Sequence, residues 1–169
     1  GDDRALVFDG DAARCFIIDE RGEEVSTWKV TALIAAQELD RHPGSAVVIN
    51  KITSRSVAEV VAEHGGTTVV TKVGHTFVKA AMAEHRGVFG GEHSAPFYFR
   101  DFWGADTGML AALHVLAALG ESTEPLSRLV ERYSRFAASG EINSTVAEVE
   151  PVLVALERPR LRLHAAAAL

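Results

Sequence analysis

Apolar residues fall along the chain in short runs that charged and turn-forming residues separate. Short runs of apolar or β-branched residues, bounded by Gly, Asp or Pro, are typical of buried β-strands. The first two runs flank an acidic loop and indicate a pair of strands around it. The predicted strands lie at residues 5–8, 15–19, 46–49, 67–71, 88–90 and 97–100.

Between these runs, apolar residues recur every three or four positions, which is the period of one helix face. The first helix is predicted to begin at Thr27 and to end at His42. The next is predicted from Ser56 and Glu59, whose spacing is typical of a capping box. Three more helices are predicted: one carrying Phe77, Ala81 and Met82, one from a cap at Asp106 to Gly120 with Met109, Leu113 and Leu116 as its apolar positions, and one from Thr123 with Pro125 in its first turn.

The alternation of strands and helices predicts an α/β fold in which helices cover both faces of a sheet. The continuous apolar run 46–49 supports this, because strands that are covered on both faces lose the polar alternation of a half-exposed strand. Two hairpin-like connections add antiparallel pairs. We therefore expect a layered helix-sheet-helix domain with a mixed, mainly parallel sheet.

Composition excludes several classes of protein. The chain has 169 residues, is 47% hydrophobic and carries a formal charge of -6, which indicates a globular protein and disfavours sequence-independent binding of nucleic acid. No apolar run approaches the roughly 20 residues that span a bilayer, so we expect no membrane association and a cytoplasmic location. The single cysteine, Cys15, lies in an apolar run and is predicted to be a buried free thiol.

Polar side chains follow the predicted strands at equivalent places. Lys51 follows one strand, the segment Lys72–His75 follows the next, and Glu92 and Ser94 follow a third. In open α/β sheets, ligands bind beyond the carboxyl ends of the strands, so these groups together indicate a binding site. Each of them alone is typical of an ordinary solvated turn.

The acidic loop places Asp9 and Asp11 on either side of a glycine. Paired carboxylates suit Mg²⁺, which takes few carboxylates together with water and phosphate, although such a sequence is more often a plain turn. An EF-hand is the other alternative, because Glu20 lies at the twelfth position from Asp9. It is rejected because Arg14 stands where the sharp turn of that loop needs glycine, and because strands rather than helices flank the loop.

Several motifs in one order carry a family resemblance. Together they resemble the α-D-phosphohexomutases, the family of phosphoglucomutases and phosphomannomutases, and most of all its bacterial branch. The resemblance covers about residues 1–145. Its motifs are Asp9–Phe16, Lys72–Lys79, Gly91–Ser94, Phe99–Asp101 and Gly104–Gly108.

The resemblance implies a position within a protein of four domains. Residues 1–25 correspond to the last strands and metal loop of the second domain. Residues 26–120 correspond to the third domain with its sugar-recognition loop, and residues 121–169 to a helix and linker toward an absent or incomplete fourth domain. The family reaction moves phosphate between the 1- and 6-positions of a hexose, through a bisphosphorylated intermediate and with Mg²⁺ at a phosphoserine.

The resemblance also implies roles for individual residues. Asp9 and Asp11 match metal ligands, and Arg14 matches the arginine that closes the metal loop and contributes to substrate binding. The sugar-hydroxyl contacts are matched by Glu92 and Ser94. Lys51 and His75 resemble residues that assist substrate binding and proton transfer. The expected ligands are therefore Mg²⁺ and a hexose phosphate.

The departures from the family pattern are as informative as the matches. Ala13 stands at the third aspartate of the metal loop, which weakens Mg²⁺ binding because the site loses one negative charge. Pro96 stands at the histidine of the sugar loop and is expected to hold Ala95 in an extended conformation. The phosphoserine loop is absent from this chain.

Two functions follow from these departures. The first is a phosphohexomutase fragment that contributes metal and sugar recognition and is inactive alone. The alternative is a catalytically degenerate sugar-phosphate-binding module, or an oligomeric interaction module in which residues 4–19 pack against a second copy. The sequence does not distinguish glucose from mannose as the sugar.

Overall fold

The apolar runs on either side of the acidic loop form antiparallel strands, as predicted. A computed structural model describes residues 5–137, 143 and 145–156. The two strands and a short third strand form a separate three-stranded sheet in the order β1-β2-β3. Asp19 closes the turn between the second and third strands, because its carboxylate accepts the backbone N–H groups of Arg21 and Glu23. The strands are β1 (Ala5–Phe8), β2 (Cys15–Ile18) and β3 (Glu24–Val25).

The remaining strands form a five-stranded sheet in the order β5-β4-β6-β7-β8. The pairs β4-β5 and β4-β6 are parallel, whereas β6-β7 and β7-β8 are antiparallel. The expectation of an α/β fold with a mixed sheet is confirmed, and its parallel part is the half that contains β4, β5 and β6. The strands are β4 (Ala46–Asn50), β5 (Thr67–Thr71), β6 (Phe89–Gly91), β7 (Phe97–Phe99) and β8 (Ala105–Asp106).

Helices cover both faces of this sheet, so the layered architecture is also as predicted. Val47 and Ile49 of β4 belong to the larger apolar core, which they share with buried residues of the first, second, fourth and fifth helices. Val48 and Tyr98 project to the opposite face, where Val78 and Met82 of the third helix cover them. The helices are α1 (Thr27–Arg41), α2 (Arg55–Glu63), α3 (His75–His85), α4 (Gly108–Gly120) and α5 (Leu126–Glu131).

Two of the predicted helix caps are wrong by two residues or fewer. The N-cap of α2 is Ser54, whose hydroxyl accepts the N–H of Ser56, so Ser56 and Glu59 do not form a capping box. Ser56 is buried instead, and its hydroxyl accepts the N–H of Arg135. In α4 the cap is Thr107 rather than its neighbour Asp106, because the Thr107 hydroxyl accepts the N–H of Leu110 at 3.3 Å.

The predicted apolar face of α4 is also wrong. Met109, Leu113 and Leu116 are 54%, 57% and 48% exposed, whereas Ala111 and Val115 are buried against the core. Because the one polar residue of α4, His114, is itself buried, no polar face indicates which side of the helix is exposed. In the structure α4 packs its small residues against α1, which brings the two helices close together.

The segment after α4 is attached to the start of the chain by polar contacts. Glu20 accepts the backbone N–H and the hydroxyl of Ser127 in the first turn of α5, and the hydrogen bond from Ser127 lowers the pKa of Glu20. Lys29 of α1 lies 2.6 Å from the carboxylate of Glu131. The start of α5 differs from the prediction of a helix from Thr123 with Pro125 in its first turn, because Pro125 is the N-cap and α5 begins at Leu126.

The chain divides into two compact units at Ala137 and Ala138. In the second unit, residues 149–156 are helical. The basic cluster of Arg158, Arg160 and Arg162 lies outside the described residues. Within the described part of the chain, no helix has the length and apolar character that crossing a membrane requires.

A buried polar cluster joins α1 to α4 far from the predicted site. His114 is 6% exposed, its Nδ1 lies 2.8 Å from Oε1 of Gln37, and its Nε2 lies 3.5 Å from Oε1 of Glu38. Its ring stacks on Phe99. Burial, reinforced by Arg41, lowers the pKa of His114 to about 4, whereas burial raises the pKa of Glu38. Both shifts favour the neutral forms, so the contact is not an ion pair at neutral pH.

The backbone of α4 approaches the acidic loop so closely that Gly108 has no room for a side chain. The N–H of Gly108 donates to the carbonyl of Ala12 at 2.8 Å, and a Cβ at Gly108 would lie 2.5 Å from the carbonyl carbon and oxygen of Arg14. Since backbone atoms cannot give way as a flexible side chain can, a larger residue must displace the loop.

We expect Gly108→Ala to lower the free energy of unfolding by about 1–3 kcal/mol, because the new methyl group overlaps the backbone of the loop. Gly120→Ala at the other end of α4 is the matched control, since no atom lies within 4 Å of its Cβ position. Denaturation in urea measures both variants. Equal stability of the two variants would contradict the close approach at Gly108.

We expect the free energy of unfolding to fall between pH 6.5 and about pH 4 through His114. The unfolded chain binds a proton at His114 below pH 6.5, whereas the folded chain excludes it down to about pH 4. The cost reaches about 3 kcal/mol at the acid end. Denaturation of His114→Gln at a series of pH values should show a flatter profile, and the exposed control His85→Gln should keep the steeper one.

Candidate active-site cleft

Loops from three separate parts of the sequence meet at one edge of the five-stranded sheet. Because β4, β5 and β6 are parallel, their carboxyl ends lie together, with Asn50 opposite Thr71 and Ile49 opposite Gly91. The loops after β5 and β6 meet the β1–β2 loop around an open cleft of about 280 Å³. The cleft is lined by Asp9, Asp11, Ala13, Arg14, Val73, Gly74, His75, Glu92, Ser94, Pro96, Tyr98 and Asp106.

Most of the predicted site residues line this cleft. Asp9, Asp11 and Arg14 lie on its β1–β2 side, and the exposed side chains of His75 and Ser94 lie on the side of the sheet. Polar groups that are distant in sequence therefore lie together at the carboxyl ends of the strands, as their places after the predicted strands indicated. Lys51 is exposed after β4 and is not among the lining residues, and neither is His93 beside Ser94.

The acidic loop holds its two aspartates through its own backbone. One oxygen of Asp9 accepts the N–H of Arg14 at 3.1 Å, and its other oxygen lies 3.6 Å from the guanidinium Nε of Arg14. Oδ1 of Asp11 accepts the N–H of Ala13 at 3.2 Å. These contacts order the loop, and they occupy part of the acceptor capacity that a cation would use.

The donor set of this loop fits Mg²⁺ only in part. Two carboxylates, from Asp9 and Asp11, are compatible with an ion that takes its remaining ligands from water and phosphate. Ala13 lines the cleft but offers no oxygen from its side chain. Among the described residues, no three His, Cys, Asp or Glu side chains form a group that could hold a metal ion.

The acidic loop contacts the β6–β7 hairpin as well as α4. Arg14 and Pro96 form an isolated antiparallel bridge between the β1–β2 loop and the β6–β7 hairpin. Ala12 takes a positive φ of 56°, which is uncommon for a residue with a side chain. The two walls of the cleft are thus joined through backbone contacts.

Ala95 is not extended, contrary to the expectation from the proline that follows it. Its φ is 73°, and its N–H donates to the carbonyl of Glu92 at 3.2 Å, which makes residues 92–95 a tight turn. The N–H of Glu92 donates to the carbonyl of Pro96 and closes the hairpin. The turn exposes Ser94 while it buries Ala95, so the hairpin geometry outweighs the local preference before proline.

Glu92 is a buried carboxylate whose oxygens accept hydrogen bonds from three different elements. Its Oε1 accepts the hydroxyl of Tyr98 at 2.7 Å. Its Oε2 accepts the N–H of Gly74 at 3.0 Å and the side-chain amide of Asn50 at 3.3 Å. The side chain is only 3% exposed. A buried charge is tolerated when its hydrogen-bonding capacity is met, and these donors meet most of it.

Gly74 provides its N–H to Glu92 in a conformation that favours glycine. Its φ is 129°, which residues with a side chain rarely adopt. Gly74 is also the N-cap of α3, so His75 is the first residue of that helix. The conformation at Gly74 therefore sets both the Glu92 contact and the place where His75 enters the cleft.

Lys79 and Asp106 form an ion pair at the cleft that we did not predict as part of the site. The Lys79 ammonium lies 2.7 Å from Asp106 and 5.7 Å from the centre of the Tyr98 ring. Burial is the largest single influence and would raise the pKa of Asp106. The hydrogen bond from Lys79, a backbone hydrogen bond and the nearby positive charge together outweigh it, so the pKa is lowered. Both residues lie within the quoted motifs, where Asp106 had been interpreted only as a helix cap.

Comparison with known proteins agrees with this architecture. Residues 29–136 match the family model described as phosphoglucomutase/phosphomannomutase, alpha/beta/alpha domain III. The chain belongs to this family. The match includes α1 from its third residue, α2 to α5 and the whole five-stranded sheet. The layered domain of this chain therefore corresponds to domain III of the phosphoglucomutase/phosphomannomutase family.

Individual members of the family show the same relation. The chain is 38% identical to a phosphomannomutase of Salmonella typhimurium over 93% of its own length and 35% of that protein. It is 39% identical to a phosphomannomutase of Escherichia coli K12, over 88% of its own length and 33% of that protein. The chain thus spans about a third of the curated relatives that it matches.

A solved structure supports the fold assignment. A phosphoglucomutase/phosphomannomutase family protein from Burkholderia thailandensis superposes with a TM-score of 0.73 at 28% identity. The superposition covers 79% of this chain and 29% of that protein. Within this family, isomerase and phosphotransferase chemistry on hexose phosphates is the general activity.

We expect Glu92→Gln to lower the free energy of unfolding by about 1–3 kcal/mol. Glutamine has a single carbonyl oxygen, so its amide nitrogen must face a donor on one side of the network, either Tyr98 or the pair Gly74 and Asn50. Denaturation in urea measures the loss. The control is Glu84→Gln on the exposed surface of α3, and an equally small effect of both changes would contradict the network.

Proposed function

We propose that this chain provides the hexose-phosphate recognition of a phosphohexomutase, an enzyme that moves a phosphate group between the 1- and 6-positions of a hexose. One observation carries the proposal. A single cleft combines the acidic loop of Asp9 and Asp11 with His75 and with the sugar-loop residues Glu92 and Ser94. These residues come from separate parts of the sequence, and the sheet brings them together.

The cleft offers different chemistry to the two ends of a sugar phosphate. The Ser94 hydroxyl and the acceptor oxygens of Glu92 suit the hydroxyl groups of a hexose. The guanidinium of Arg14 and the ring N–H of His75 suit phosphate oxygens. We propose these four side chains as the substrate-binding set, with Lys51 as an auxiliary group that approaches a ligand extending beyond the cleft.

The charge of the cleft gives a reason for a metal ion. Asp9, Asp11, Glu92 and Asp106 place four carboxylates around it. Lys79 pairs with Asp106 and Arg14 lies near Asp9, so two of the four carboxylates have no ion-pair partner among the described residues. A phosphate group in this setting is repelled unless a cation offsets the negative charge. We propose that Asp9 and Asp11 hold Mg²⁺ weakly. When bound, the ion would neutralise charge on the phosphate.

We propose that the chain by itself has no mutase turnover. Of the residues that line the cleft, Ser94 has the only aliphatic hydroxyl, and it belongs to the sugar loop rather than to a phosphoserine loop. Pro96 has no side-chain group that could donate or accept a proton at the place of the family histidine. The division into residues 1–25, 26–120 and 121–169 as parts of the second, third and fourth domains stays a prediction.

Titration calorimetry with glucose 1-phosphate and mannose 1-phosphate tests the proposal, with and without Mg²⁺. We expect weak binding that Mg²⁺ strengthens and that Ser94→Ala weakens roughly three- to tenfold, the effect of one lost hydrogen bond. His93→Ala is the matched control, because His93 is the exposed neighbour that does not line the cleft.

Two results would count against the proposal. Absence of heat at millimolar sugar phosphate would contradict the proposed binding function. Robust conversion of either 1-phosphate to the 6-phosphate in a coupled assay would contradict the proposal that the chain is inactive alone. Equal binding by Ser94→Ala and His93→Ala would show that the ligand lies elsewhere on the protein.

A second candidate function is self-association. The exposed apolar side chains of Met109, Leu113 and Leu116 on α4, and of Val7 on β1, favour it, because large exposed apolar patches often mark interaction sites. The packing of residues 4–19 against a second copy stays a prediction. Light scattering of the purified chain tests it, and a strict monomer excludes it.

A further inference from the structure

The Glu92 network contains a residue that none of the quoted motif roles includes. Tyr98 lies on β7, six residues after Glu92, and its hydroxyl donates to Oε1 across the β6–β7 hairpin at 2.7 Å. The residue is fully buried within the wall of the cleft. Tyr98 therefore contacts the carboxylate from the face of the sheet that α3 covers.

The number of donors limits what Glu92 can bind. An ionised carboxylate has about four acceptor positions, two on each oxygen. Gly74 and Asn50 occupy both positions on Oε2, and Tyr98 occupies one on Oε1. A single acceptor position on Oε1 is left for a ligand. Rotation of the carboxylate would break all three hydrogen bonds at once.

The surroundings keep the Tyr98 hydroxyl in its role as a donor. Burial, together with the hydrogen bond to Glu92, raises the pKa of Tyr98, so the phenol keeps its proton. The Lys79 ammonium lies over the ring at 5.7 Å and is held by Asp106. Val48 and Met82 belong to the same apolar cluster as the ring. The hydroxyl is thus held firmly against Oε1.

We propose that Tyr98 is a positioning residue for hexose recognition, which holds the Glu92 carboxylate so that one Oε1 position accepts one sugar hydroxyl. The inference rests on the proposed function of the cleft. A fixed carboxylate accepts from a hydroxyl group and repels a phosphate group. Tyr98 thereby helps to select the sugar end of the ligand at Glu92 and leaves the phosphate end to Arg14 and His75.

The test compares Tyr98→Phe with Tyr133→Phe, which changes the only other tyrosine of the chain. Tyr133 packs against the larger core, away from the lining of the cleft. Calorimetry measures the affinity of each variant for glucose 1-phosphate, mannose 1-phosphate and inorganic phosphate. We expect Tyr98→Phe to weaken both sugar phosphates roughly three- to tenfold and to leave inorganic phosphate unchanged. A merely structural role would alter all three ligands alike, and that result overturns the proposal.

A second measurement does not depend on ligand binding. The amide resonance of Gly74 in a ¹H–¹⁵N spectrum reports on the carboxylate, because Gly74 donates to Glu92 at 3.0 Å. We expect this resonance to shift in Tyr98→Phe and not in Tyr133→Phe. If the unsubstituted chain binds no sugar phosphate, the proposed function fails, and an unshifted Gly74 resonance then overturns the positioning role separately.

A further variant tests the same inference if Tyr98→Phe does not fold. Asn50→Ala removes another donor to Glu92 from a different strand, and it replaces Tyr98→Phe if that variant does not fold. The expected result is the same selective loss of sugar-phosphate affinity. Unchanged affinity for every ligand in Asn50→Ala, together with an unshifted Gly74 resonance, contradicts the inference.

Discussion

The buried carboxylate of Glu92 is the constraint on which the cleft depends. A charge that is 3% exposed is costly unless donors surround it, and here the donors come from the end of β4, from the turn before α3 and from β7. None of these donors is adjacent in sequence to Glu92. The wall of the cleft therefore forms only when the sheet has assembled in its correct order.

Close backbone approaches provide the second constraint. Gly108 lets the start of α4 touch the acidic loop, and the bridge between Arg14 and Pro96 joins that loop to the β6–β7 hairpin. These contacts use backbone atoms, so they do not depend on the side chain at Ala13. The loop can therefore retain its shape while it loses the carboxylate that a metal site would use.

Much of the fold follows from local patterns. The apolar runs predicted the strands because a buried strand excludes polar residues, and the loops after β5 and β6 do reach one cleft with the acidic loop. The patterns did not predict the buried side of α4, because its one polar residue, His114, is buried and the helix has no polar face to orient it. The conformation of Ala95 was also missed, because the turn of the hairpin outweighs the preference of a residue before proline.

The sequence by itself determined the types and order of most elements, the family, and half of the residues that line the cleft, since these depend on period, turn residues and motif order. The two-residue strands β3 and β8 were not predicted. Only the tertiary structure decided that Tyr98, Asn50 and Gly74 are the donors to Glu92, and that Lys79 pairs with Asp106. The reason is physical. These contacts join residues on different strands and helices, and their geometry is set by how the sheet pairs and how α3 packs on it, which no local pattern contains.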